Sequence, residues 1–179
     1  MILPTAAEEA RFWAMLENAW AGLGPEPNGV RRALAGRDVS VDAFEEATEL
    51  EEHLDRVLAA LADECAGLSS EELIALDRVV ERKLHEIDRA DVHEVTEGSD
   101  DGFLYARGFI VAMGREFYEA VSRDPRVAIG DAEGEAMCYF FARVHADRFG
   151  DYPETGSGIS RESGANRGGW ADLEVRSNA

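Results

Sequence analysis

Two reciprocal cap signatures, Thr5-x-x-Glu8 and Ser69-x-x-Glu72, stand directly before apolar residues spaced three and four apart, and that pairing commits the chain to helices. The first run carries Phe12, Trp13, Leu16, Trp20 and Leu23, which predicts a helix with an aromatic face. It ends in the Gly- and Pro-rich stretch 22–29, read as a loop, with a short helix expected near 30–34. Ser40 is placed to cap a second long helix with Phe44, Ala47, Leu54, Val57, Leu58, Leu61 and Cys65 on one side and Glu45, Glu46, Glu49, Glu52 and Asp55 on the others. The Ser69 box opens a charged helix with Leu73, Leu76, Val80, Leu84 and Ile87, predicted to reach the Val95 region. Ser99, Asp100 and Asp101 supply acceptors for another helix start, where the dipole also favours negative charge. That helix is predicted to run to about Ser122, stopped by Asp124-Pro125, and a last one carries Met137, Cys138, Phe140, Phe141, Val144 and Phe149. No segment alternates as a strand does. The expectation is an all-α, compact, bundle-like domain of about five main helices over residues 1–149.

From Gly150 onward the chain holds six glycines, four serines and few aliphatic residues, too little to build a core, so residues 150–179 are predicted to form a flexible, disordered tail. Trp170 is its one large anchor, read equally well as docked on the body or exposed. The tail's five acids and three arginines account for −2 of the formal net charge of −19, so residues 1–149 carry −17. Such a surface repels phosphate backbones and anionic lipid, which argues against nucleic acid and membrane as partners and favours a basic protein partner. Oligomeric state is left open. With no basic, apolar leader at Met1 and no run near the ~20 apolar residues a bilayer requires, the reading is cytoplasmic. Cys65 and Cys138 lie far apart in apolar helical contexts and read as buried free thiols.

Chemistry-bearing residues concentrate in one place. Ser99-Asp100-Asp101-Gly102 at a helix entrance is followed within one apolar helix by Arg107, Gly108, Gly114 and Arg115. Asp100 and Arg107, seven apart, share a face and are expected to pair. The two glycines each forgo on the order of 1 kcal/mol relative to alanine inside a helix, which points to close approach by a neighbouring element, a helix crossing or a ligand. No catalytic set assembles from these residues. Ser99 has no histidine at a recognisable spacing, the glycines lack the lysine and preceding strand of a phosphate loop, and the aspartates lack the further ligands of a calcium loop. Glu49–His53 and Glu81–His85 share helix faces but do not have the Glu-x-x-His spacing of di-iron bundles. His93 and His145 sit near helix ends, where an imidazole can bond terminal carbonyls. The sequence therefore assigns no metal, no cofactor and no catalytic residue.

The run Ser99-Asp-Asp-Gly-Phe103-Leu-Tyr105-Ala-Arg107-Gly108-Phe-Ile-Val-Ala-Met-Gly114-Arg115-Glu116-Phe117, with Asp124-Pro125 after it, resembles the signature of the DUF4240 family. Arg11-Phe12-Trp13 and Leu68-Ser-Ser-Glu71-Glu72-Leu73 are similar to its amino-terminal motif and its linker into the central helix. The resemblance covers most of residues 10–145 and implies a bacterial, mainly helical domain with no activity to transfer. The leading expectation is a non-enzymatic protein-binding or regulatory module, of immunity or inhibitor type. The alternative is an enzyme or small-molecule binder with a pocket around Ser99 to Arg115, with His93 beside it. A third is a structural subunit that associates through the aromatic face of the first helix.

Overall fold

The computed structural model describes residues 1–171. Among these the chain forms α1 (Ala6–Ala21), α2 (Pro25–Ala35), α3 (Phe44–Cys65), α4 (Ser70–Glu86), α5 (Ala90–Thr96), α6 (Asp100–Ala112), α7 (Arg115–Arg123), a 3-10 turn (Pro125–Val127), α8 (Glu135–Cys138) and α9 (Phe140–Phe149), with no strand. The all-helical expectation holds; the count of about five does not. Both reciprocal caps form as read: Thr5 and Ser69 accept from the amides of Glu8 and Glu72, whose carboxylates return to the amides of Thr5 and Ser69.

The extra helices come from breaks with identifiable causes. The prolines at 25 and 27 open α2 instead of lying in a loop, because the first turn of a helix leaves its amides unbonded anyway and Gly24 supplies the preceding φ of +96°. Ser40 does not cap α3; it bonds the Asp38 carboxylate, and Asp42 accepts from the Phe44 amide instead. The helix expected to run from 70 to the Val95 region ends at Glu86, and α5 follows as a separate piece. The helix expected to reach Ser122 stops at Ala112. There the Trp20 indole donates to the Ala112 carbonyl at 2.7 Å and the Arg31 guanidinium to that of Met113 at 2.9 Å, taking up acceptors a continuing helix would need. Gly114 then turns the chain at φ +89°, a conformation open to glycine.

α6 is the central element. Every residue from Phe103 to Ala112 except Tyr105 is buried, and α6 packs against α4, α5, α7 and α8. α4 lies between α1, α6 and α9, and α3 covers α1. The aromatic side chains of α1 point inward: Phe12, Leu16 and Trp20 are fully buried and Trp13 nearly so, so the exposed aromatic face that would have supported self-association is absent. Cys65 and Cys138 are buried free thiols, and burial pushes them up to about 11 and about 12.

Residues 150–171 correct the expectation of a disordered tail. They cross the α4–α6 face as a strap with little regular structure, apart from a helical turn at 167–171, and bury Thr155, Ser157 and Arg161. Apart from Trp170, which packs against Phe103 and His93, its anchors are polar, so the low aliphatic content that suggested disorder says little about order here. The part of that expectation falling on 172–179 lies outside the described residues.

Two consequences are measurable. A methyl group on Gly108 would lie 2.4 Å from the Gly134 carbonyl oxygen and 2.6 Å from Cys138 Sγ. Gly108→Ala is therefore expected to cost about 1–3 kcal/mol in urea unfolding, and an unchanged midpoint would contradict the close α6–α8 crossing. Glu72, held down to about 2 first by the Ser69 amide and then by Arg11 and the Ser69 hydroxyl, contributes stability above its ordinary value of 4.5 and loses it as pH falls toward 2. In Glu72→Gln the Tm is expected to be lower at neutral pH and to fall less steeply across that acid window. An acid slope identical to that of the unmodified chain would place the sensitivity elsewhere.

Candidate functional site

The predicted cluster does not converge. Ser99 caps α6 through the Gly102 amide at 3.2 Å, as its position suggested. Asp100 and Asp101 are exposed in the first turn, and neither carboxylate meets an arginine among the described residues. Arg107, expected to pair with Asp100, is instead fully buried. Its Nη1 donates to the Leu84 carbonyl and its Nη2 to Ser163 Oγ, both at 2.9 Å, while Nε has no partner among the described residues and the guanidinium lies 4.6 Å from the Phe103 ring centre. Burial lowers its pKa, with Asp88 acting in opposition. Arg115 begins a different helix and pairs with Glu119 at 2.7 Å on the exposed surface. Gly108 and Gly114 serve packing: Gly108 abuts Gly134, and Gly114 admits the Arg31–Glu17 pair. His93 meets Phe103 edge to face and Trp170 at a tilt, with ring centres 4.9 and 5.4 Å away.

What the fold does bring together is a polar groove along α4, walled by α6, α8 and the start of α9 and filled by the strap. Asp77, Glu81 and Asp88 are spaced by four and seven, so they follow one helix face into the region just beyond its end. Asp77, only 1% exposed, receives the Arg161 guanidinium on both oxygens at 3.2 and 2.9 Å. Arg161 also donates to the Cys138 carbonyl and lies 5.0 Å from the Tyr139 ring centre. Burial pushes the Asp77 carboxyl above its ordinary value, and Arg161 opposes that shift. Glu81 accepts from the hydroxyls of Thr155 and Ser157. Ser163 Oγ accepts from Arg107 and donates to the Asp100 carbonyl at 2.6 Å, so the signature segment does take part, through a backbone oxygen and a buried cation. Asp88, fully buried, accepts from the amides of Gly164 and Asn166 and from the Trp170 indole at 2.8–3.0 Å.

Sequence reasoning missed this groove, although a signal was present. From Pro153 to Gly164 the strap alternates inward and outward, with Thr155, Ser157, Ile159, Arg161 and Ser163 turned in and Gly156, Gly158, Ser160 and Glu162 turned out. An alternation built from hydroxyls and an arginine does not register in a search for apolar periodicity.

A second unpredicted arrangement joins Ser70 to His145. Ser70 Oγ lies 2.7 Å from Nε2, and Nδ1 lies 2.7 Å from the Asp151 carbonyl oxygen, which as an acceptor fixes Nδ1 as the donor of that bond. The spacing suits a nucleophile and base, but Glu71 and Glu72 in the same turn oppose any oxyanion there. The pair pins the end of α9 and the start of the strap to the start of α4. No group of three or more His, Cys, Asp or Glu side chains placed to hold a metal ion occurs among the described residues.

The geometry defines an all-helical domain whose signature helix is central to the core and whose buried acids receive a carboxy-terminal strap. The family model described as a protein of unknown function (DUF4240) matches residues 39–146, and the chain belongs to that family. Searches of curated proteins and of solved structures found no match. No helix among the described residues is long and apolar enough to cross a membrane.

Removing Asp77 while Arg161 stays strips the buried guanidinium of its two-oxygen partner and leaves it only Glu81 at 3.6 Å, so Asp77→Ala is expected to cost about 2–3 kcal/mol in equilibrium unfolding. Replacing both residues together, Asp77→Leu with Arg161→Met, is expected to recover much of that loss. If the double variant is no more stable than Asp77→Ala, the two side chains do not act as a pair.

Proposed function

We propose that the chain is an acidic, non-enzymatic protein-binding or regulatory module, of immunity or inhibitor type, that meets a basic protein partner through α3. The supporting observation is the outer face of that helix. Glu45, Glu46, Glu49, Glu52 and Asp55 are all exposed over three turns, and none forms an ion pair with a described residue. The opposite face, with Leu50, Leu54, Val57 and Leu61, is buried, so the helix is fixed in orientation and the acids form a rigid strip. Like charges at three- and four-residue spacing destabilise an isolated helix by a few tenths of a kcal/mol per pair. A cationic surface laid along the strip would relieve that repulsion and speed encounter. The rival pocket around Ser99 to Arg115 lacks comparable support, since Arg107 on α6 faces the strap and Arg115 pairs with Glu119 within α7.

The test is affinity capture with the immobilised protein beside a Glu45→Lys, Glu49→Lys, Glu52→Lys variant. Binding is expected to release as salt rises through the range where screening shortens to about 8 Å and below, and to be lost in the variant. Retention that ignores both salt and charge reversal would overturn the α3 reading.

A further inference from the structure

We propose that the groove along α4 is a recognition site for an extended protein segment carrying an arginine between small hydroxyl residues, and that residues 155–163 are its resident occupant in cis. This site is distinct from the α3 strip, and either can fail alone.

The walls and the occupant have different origins. Asp77, Glu81, Asp88, Arg107 and Tyr139 all lie within the family match at 39–146, whereas the strap lies wholly beyond it. The part of the chain that defines the family thus builds a receptor whose filling it does not itself supply. That receptor has the chemistry of a guanidinium box: both oxygens of a buried carboxylate, the Cys138 carbonyl and the face of Tyr139 converge on Arg161. A planar fork satisfies this set and a point-like ammonium does not. The neighbouring subsites take hydroxyls, two at Glu81 and one between Arg107 and the Asp100 carbonyl.

The occupant is held as a bound peptide is held. One side of it enters the groove and the other faces water, and its one aliphatic residue turned inward, Ile159, is only half-buried. Within 155–163 the anchors are polar and can be exchanged for identical ones without exposing a core; farther along, Trp170 packs on Phe103 and is supplied again by the incoming peptide. Asp77 gives the exchange its direction, because a buried carboxylate left without its guanidinium is strongly unfavourable. The groove is therefore not left empty but swaps one arginine-bearing segment for another. Residues 150–154, exposed except for a half-buried Pro153, connect α9 to the strap and let it leave without unwinding the helix.

The experiment uses the full chain with a site-specific protease sequence in place of residues 150–154. After cleavage, a fluorescent peptide of residues 153–171 is added and followed by anisotropy, with circular dichroism reporting the helices. The labelled peptide is expected to exchange into the groove. Peptides carrying Arg161→Lys or Arg161→Ala are expected to compete at least about tenfold and about a hundredfold less well, respectively. A strap that never exchanges while the cleaved protein stays folded would overturn the proposal, as would exchange indifferent to Arg161 or helices that melt as the strap leaves. A stable dimer of the uncleaved chain, with each strap in the other copy's groove, would also overturn it by assigning the groove to self-association.

Discussion

Asp77 imposes the constraint around which the structure is arranged. It sits midway along α4 with almost no contact to water, where an ionised carboxylate is costly unless a cation and further donors reach it. Arg161 is the cation, and its arrival brings the rest of the strap into register. With that guanidinium seated, Thr155 and Ser157 fall on Glu81, Ser163 on Arg107, and Gly164 and Asn166 on Asp88. A segment with almost no aliphatic content is thereby ordered by matched polar groups. Hydrogen bonds to charged partners contribute more than neutral ones, and leaving such partners buried and unmatched costs more still.

The signature segment acquires a structural explanation from the same arrangement. Gly108 lets α6 approach Gly134, Gly114 turns the chain beside the Arg31–Glu17 pair, and Phe103 supports the Arg107 guanidinium from one side. Among the described residues no carboxylate lies at ion-pairing distance from Arg107, and two hydrogen bonds and an aromatic face carry its solvation. One of those bonds goes to the strap. The segment richest in chemistry-bearing residues therefore couples the core helix to the groove filling instead of assembling a reaction centre.

Local signals in the sequence held for most helix starts, the exceptions being Ser40, which bonds Asp38 instead of capping α3, and the prolines at 25 and 27, which open α2. The caps at Thr5, Ser69 and Ser99 formed because a hydroxyl and an amide two or three residues on are all they need. The buried faces of α3 and α4 followed from apolar spacing, although Phe44, assigned to the buried side, is half exposed. The other failures are long-range. Nothing near Met113 announces that Trp20 and Arg31 will claim the last carbonyls of α6, and nothing in Gly156-Ser157-Gly158 announces Glu81. Charged helix residues usually face water, and only the partners of Asp77 and Glu81, more than seventy residues away in the chain, account for the burial of these two.

Amide hydrogen exchange resolved along the strap tests the central claim most directly. The amides of Gly164 and Asn166, each bonded to the buried Asp88 carboxylate, are expected to exchange far more slowly than an unstructured chain and to lose that protection in Arg161→Ala, while α1 keeps its own. Exchange at unstructured-chain rates across residues 155–166 in the unmodified protein would contradict the account.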